Sequence, residues 1–140
     1  MYGIYEFRAY PNADQCILID KTFSAVRFIH NKILDEVIAC YKQTGKTISV
    51  TPDKYIEEFS FLKKVDSFAL INEQCRVDES FENFTSGKSG MPKFMSKEHE
   101  RKSYTTSYEN DNIRISGKCL VLPKVGKLRI AQTRDMPETI

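Results

Sequence analysis

Asn112-Ile113-Arg114-Ile115-Ser116, Cys119-Leu120-Val121-Leu122 and Lys127-Leu128-Arg129-Ile130-Ala131 follow one another near the end of this chain, each bounded by turn residues. Their apolar positions recur every second residue, the period of a strand, whose successive side chains leave on opposite faces. The reading is of short antiparallel strands. In the first and third, isoleucine or leucine alternates with a base. Arg114, Lys127 and Arg129 are therefore expected to share an outward face opposite a hydrophobic one.

Upstream of the glycine- and proline-bearing loop Thr85-Ser86-Gly87-Lys88-Ser89-Gly90-Met91-Pro92, the period is helical. Asn12 followed three residues later by Gln15 is a capping-box pattern, and Cys16, Ile19, Phe23, Val26, Ile29 or His30, Ile33, Val37 and Tyr41 then mark one helix face. Ser24-Ala25 could divide this run into two successive helices. Gly45 is placed to terminate it, since glycine accepts the left-handed conformation that closes a helix. Thr51-Pro52 predicts a helix with Pro52 at its first position, carrying Tyr55, Ile56, Phe59 and Leu62. Asp66-Ser67 caps a further helix from about Phe68 to Phe84, with Leu70, Ile71, Val77, Phe81 and Phe84 near one face. Before all of these, Tyr2 to Tyr10 alternates as a strand, ended by Pro11. The expected class is α+β: a strand over residues 1–11, a helical portion over 12–86, and a basic loop with antiparallel strands over 87–140.

The chain has 140 residues, of which 41% are hydrophobic and 29% charged, with a formal charge of +2. A chain of this size can bury a core without disulfides or metal. Its longest apolar runs, such as Phe68-Ala69-Leu70-Ile71, fall far short of the ~18 residues that a membrane helix requires. Charge arrives too early in Met1-Tyr2-Gly3-Ile4-Tyr5-Glu6-Phe7-Arg8 for a secretion signal, so a cytoplasmic protein is expected. Cys16, Cys40, Cys75 and Cys119 lie 24, 35 and 44 residues apart, without the pairing that closes a zinc knuckle. His30 and His99 do not form a helical ligand pair. Gly87-Lys88-Ser89-Gly90 lacks the spacing of a phosphate-binding loop, and Glu57-Glu58 and Asp78-Glu79 read as solvated carboxylates. No constellation for catalysis is present.

The net charge conceals an uneven distribution. Residues 1–80 hold 10 basic and 12 acidic side chains, whereas 87–129 hold 10 basic and 4 acidic. Such a stretch is either an ordinary solvated face or a surface for a polyanion, whose phosphates Lys and Arg neutralise with release of counterions. Pro92-Lys93-Phe94-Met95-Ser96-Lys97 through Arg101-Lys102-Ser103-Tyr104-Thr105-Thr106 interleaves bases, aromatics and hydroxyls, a mixture suited to phosphate contact and base stacking. Phe94 and Tyr104 serve equally well as core anchors.

These segments also resemble a known family. Tyr5-Glu6-Phe7-Arg8-Ala9-Tyr10-Pro11 is similar to the "KYRLYP" opening of the TnpB (OrfB-type) proteins of insertion-sequence transposons. Phe23, Arg27-Phe28 and Asn31, then Tyr41 and Thr44-Gly45-Lys46, resemble the helix that follows it. Leu62-Lys63-Lys64-Val65-Asp66-Ser67 with Ala69-Leu70, Phe81 and Asn83-Phe84 continues the match. So do Gly90-Met91-Pro92-Lys93-Phe94 with Ser96-Lys97, Ser103-Tyr104-Thr105-Thr106, Asn112-Ile113, and Leu122-Pro123-Lys124-Val125-Gly126-Lys127. The resemblance runs over essentially the whole chain.

What the resemblance implies is a transposase-type protein that acts as an RNA-guided DNA nuclease. Its N-terminal part is a helical, helix-turn-helix-like recognition insert set into a wedge-like, oligonucleotide-binding-type β-barrel, which holds guide RNA scaffold and target DNA. Cleavage in that family belongs to a RuvC-like domain with metal-binding carboxylates, which this sequence does not contain. The expectation is therefore an N-terminal portion, shortened in nature or by design, with an incomplete barrel and no nuclease activity or cofactor of its own, a divalent metal being expected only with the nuclease domain. Phe68 and Asn72 occupy the places from which the family reads a target-adjacent motif, and Phe68 could read only a methyl group or a base face. Thr105 and Thr106 keep the family's hydroxyls. Lys93, Lys97, Arg101 and Lys102 are the expected phosphate contacts, with Tyr104, Arg114, Lys124, Lys127 and Arg129 beside them. The alternative is a remnant that acts as a protein-interaction or regulatory module, or as a homodimer, through open strand edges near Leu128 to Ala131.

Overall fold

Asn12 and Gln15 exchange hydrogen bonds: the Asn12 amide donates to Gln15 Oε1 and the Gln15 amide to Asn12 Oδ1, each at 2.9 Å. This reciprocal capping box starts helix α1, Ala13–Thr44, in a computed structural model of the chain that describes residues 4–98 and 102–131. Helix α1 ends as its glycine requires. Gly45 adopts φ +70°, and its amide donates to the Tyr41 carbonyl at 2.8 Å. The helix is unbroken through Ser24-Ala25, because Ala25 is fully buried on a stripe that also holds Thr22, Val26, Ile29, Ile33, Leu34 and Val37. A small side chain there serves packing and does not interrupt the helix.

The fold is α+β and divides into two compact units, Met1–Ile19 with Ser107–Ile140, and Asp20–Thr106. The second is helical. After α1 come α2, Asp53–Glu58, a 3₁₀ turn over Ser60–Lys64, and α3, Ser67–Thr85. Pro52 is the residue before α2 rather than its first member, and α2 stops before Phe59 instead of running on to Leu62. The cause is tertiary. Phe59 turns to extended backbone (φ −115°, ψ 99°), and Phe28, Phe59 and Phe61 meet edge to face, with centroids 4.8 to 6.3 Å apart. Such aromatic pairs are favoured beyond the area they bury.

Asp66 caps α3, its Oδ1 accepting from the Phe68 amide at 3.0 Å. Leu70, Val77 and Phe81 face the core, but Ile71 is exposed and Glu73 is buried, contrary to the expected face. Phe81 closes the core between Tyr41 and Phe84, at centroid distances of 5.4 and 5.5 Å.

The first unit is an open four-stranded antiparallel sheet: β1 (Ala9–Tyr10), β2 (Arg114–Ser116), β3 (Cys119–Leu122) and β4 (Gly126–Ile130), in the order β1-β4-β3-β2. β1 is far shorter than the alternation predicts. Residues 4–8 form no strand, and Tyr2 and Gly3 lie outside the described residues. Among the described residues Arg8 to Tyr10 meet partners: Ala9 opposes Ile130, Tyr10 opposes Arg129, and the Ala131 amide donates to the Arg8 carbonyl. β2 begins at Arg114 because Asn112 is used in a turn, accepting from the Glu109 amide at 2.7 Å and donating to the Ser107 carbonyl at 2.9 Å. Gly117 takes φ +60° at the first central position of the two-residue β2–β3 hairpin, where a turn of the II′ kind needs glycine.

The expected open edge at Leu128 to Ala131 is absent. β4 lies between β1 and β3, and where β1 stops, Gln15 Nε2 donates to the carbonyls of Lys127 (2.7 Å) and Val125 (3.3 Å). The edges of the sheet are β1 and β2, both short, and a short edge with a base on it resists pairing with another chain. No helix among the described residues is long and apolar enough to cross a membrane.

Candidate nucleic-acid interface

The ladder registers place the sheet's cations. Arg114 opposes Val121, which opposes Lys127; Ser116 opposes Cys119, which opposes Arg129, which opposes Tyr10. Directly opposed residues share a face, so Arg114, Lys127 and Arg129 lie together with Tyr10 on one side, as alternation predicts. All four are exposed. The other side carries Leu128 and Ile130, both buried, with Ile115 and Leu120. Lys124 is exposed in the β3–β4 turn at φ +68°, and the next residue's amide reaches back to Pro123 O at 2.8 Å.

In the helical unit the basic segment is fastened to α1 by its backbone. Asn31 holds Met95 at both ends of its amide: Nδ2 donates to the Met95 carbonyl and Oδ1 accepts from the Met95 amide, each at 2.8 Å. The residue before it, His30, donates from Nε2 to the Lys93 carbonyl at 3.0 Å, while its Nδ1 faces the buried Glu73 carboxylate at 3.9 Å. Backbone fixed in this way leaves the Lys93 and Lys97 side chains exposed. Phe94 is 53% exposed and borders a concavity of about 330 Å³ that Arg27, Phe28, Asn31, Lys32 and Asp35 also line.

On α3, Phe68, Asn72 and Arg76 stand four residues apart, a single stripe. Asn72 Nδ2 donates to the carbonyls of Phe68 (2.9 Å) and Thr105 (3.0 Å), and Arg76 donates to the Thr105 hydroxyl at 3.3 Å. Asn72 thus spends its amide hydrogens on the protein. Thr105 is exposed, whereas the Thr106 hydroxyl oxygen is buried and has no hydrogen-bond partner among the described residues. Tyr104 is a core anchor, packed edge-on to Phe23 at 6.0 Å, and burial, then the Asp66 carboxylate, push its hydroxyl above the usual tyrosine range. Lys102 is exposed; Arg101 and His99 lie outside the described residues.

Two groups of expected residues are therefore gathered, each within its own unit: Arg114, Lys127 and Arg129 on the sheet, and Phe68, Asn72 and Thr105 along α3. Sequence reasoning missed Tyr10 and Arg76. Arg76 extends the helical spacing from Phe68 and Asn72 and was open to discovery by that period alone. Tyr10 shares a face with Arg129 only through a register that links residues far apart in the chain.

Residues 1–46 match the helix-turn-helix domain family of the IS605 OrfB proteins. The opening of the chain is similar to that family. In the structure the matched residues comprise β1 and the single helix α1. Over 142 aligned positions, 96% of this chain, the sequence is 27% identical to a Streptomyces pristinaespiralis protein named "Putative RNA-guided DNA endonuclease". The chain spans about a third, 35%, of that relative's length.

Proposed function

We propose that this chain is a nucleic-acid-binding part of a TnpB-type cytoplasmic protein, holding guide RNA scaffold and target DNA without cutting either. The observation that carries this reading is the sheet register, which sets Arg114, Lys127, Arg129 and Tyr10 on one face and Ile115, Leu120, Leu128 and Ile130 on the other. The similarity to a relative named for RNA-guided DNA cleavage supports the same partner class. Binding of this kind needs no cofactor; divalent metal enters with a nuclease domain. Phosphate neutralisation by these cations, with Lys93, Lys97, Arg101, Lys102 and Lys124 contributing from the basic segment and turn, supplies most of the affinity and makes it salt-dependent.

The test is a salt titration of binding to a structured RNA and to a DNA duplex. Wild-type log K falls linearly with log salt, and reversing Arg114, Lys127 and Arg129 to Glu lowers affinity and flattens the slope by roughly 2 units for single-stranded segments. An unchanged slope in that variant overturns the assignment, as does lack of affinity in the wild type.

A further inference from the structure

Tyr10 and Arg129 oppose each other across the β1–β4 pair, with the Arg129 guanidinium carbon 6.0 Å from the Tyr10 ring centroid. Tyr10 is nonetheless 49% exposed. Beside it is a concavity of about 510 Å³ lined by Tyr10, Lys118, Arg129, Ile130 and Ala131, which among the described residues holds two cations and no carboxylate. Lys118 is placed there by backbone: it occupies the second position of the β2–β3 hairpin, and its carbonyl accepts from the Ile130 amide at 2.9 Å. A volume of this size is within the range of small-ligand sites.

Resting on the reading given above, we propose that this concavity is a subsite for one unpaired nucleotide, its base stacked on Tyr10 and its phosphate held by Arg129 and Lys118. The chemistry of the lining favours such an occupant. A half-bare aromatic face is a stacking platform for any base, and adjacent guanidinium and ammonium groups complement a phosphate. An anion without a ring would use the cations and leave Tyr10 idle. An apolar ligand would leave both charges uncompensated. From Tyr10 the same face continues through Arg129 and Cys119 to Ser116, with Arg114 two residues before Ser116 on β2. Three strand intervals make a path of roughly 14 Å, long enough for a short single-stranded segment to cross.

The test uses the full chain with short oligonucleotides carrying 2-aminopurine, whose fluorescence is quenched on stacking, in RNA and DNA versions. Expected is quenching by the wild type and by Tyr10→Phe, and its loss in Tyr10→Ala with roughly tenfold weaker binding but an unchanged salt slope. Arg129→Gln and Lys118→Gln should each flatten the slope by about 0.7. Tighter binding of the RNA or of the DNA version identifies which strand supplies the nucleotide. Quenching that survives in Tyr10→Ala overturns the subsite while leaving the general binding role standing, and a wild type with no affinity for either oligonucleotide removes both. Circular dichroism melts of Tyr10→Ala and Tyr10→Phe separate loss of the platform from loss of the fold.

Discussion

Gln15 Nε2 donates to the Lys127 carbonyl at 2.7 Å while Gln15 Oε1 accepts from the Asn12 amide at 2.9 Å. One side-chain amide thus closes the N-terminus of α1 and the side of β4 that β1 leaves uncovered. Replacement by alanine removes half of the capping box and the donors to Val125 and Lys127 together, and is expected to cost about 1–2 kcal/mol in urea unfolding. Gln15→Glu retains the capping acceptor but turns a carboxylate toward two carbonyls. If the capping box were the whole contribution, Gln15→Glu would match the wild type; the structure requires it to be less stable.

The capping residues were legible because a helix start is written in local chemistry: Asn12 with Gln15, Asp66 and Gly45 all act within a few residues of themselves. The common face of Arg114, Lys127 and Arg129 was equally legible, since the period of a strand fixes sidedness. What the sequence hid is decided by distant partners. Ala25 continues α1 because the core closes over it, and Phe59 ends α2 because Phe28 and Phe61 meet it. The second role of Gln15 depends on a segment some 110 residues away.

The Asn31 clamp on Met95 predicts a protease phenotype. Asn31→Ala loses both bonds that hold the backbone between Lys93 and Lys97 to α1. Trypsin cleavage after these lysines should accelerate at temperatures where far-ultraviolet circular dichroism is unchanged, because proteolysis follows local opening. His30→Ala should act in the same direction through Lys93. Equal cleavage rates in wild type and Asn31→Ala would show that the clamp does not hold the segment.

Alkaline pH should unfold the helical unit through its tyrosines. Burial, with Glu36 beside it, holds the Tyr55 hydroxyl well above the ordinary value of 10.0, and burial with Asp66 raises Tyr104. Above pH ~10 the unfolded chain releases these protons while the folded chain keeps them, so stability is fully present below that pH and falls as pH rises toward the folded values. Tyr104→Phe removes one of the two groups and should make the decline shallower. A stability curve that is flat between pH 9 and 11, measured by urea titration at each pH, contradicts this account.

Asn72 offers a sharper distinction between reading a base and holding the chain. Its amide hydrogens are engaged by the Phe68 and Thr105 carbonyls, and Arg76 reaches the Thr105 hydroxyl from the next turn. A base-reading asparagine uses its amide donor and its acceptor on one adenine edge, and its loss costs about 1–3 kcal/mol against the preferred sequence only. An asparagine that positions residues 103–106 weakens all sequences alike when removed. The geometry requires the second pattern. Asn72→Ala, tested on a panel of duplexes differing at one base pair, should lower affinity by the same factor throughout, and Arg76→Ala should mimic it with a smaller salt slope if the guanidinium also meets phosphate. A loss confined to one sequence would show that the Thr105 contact gives way when DNA binds, and that Asn72 then reads a base.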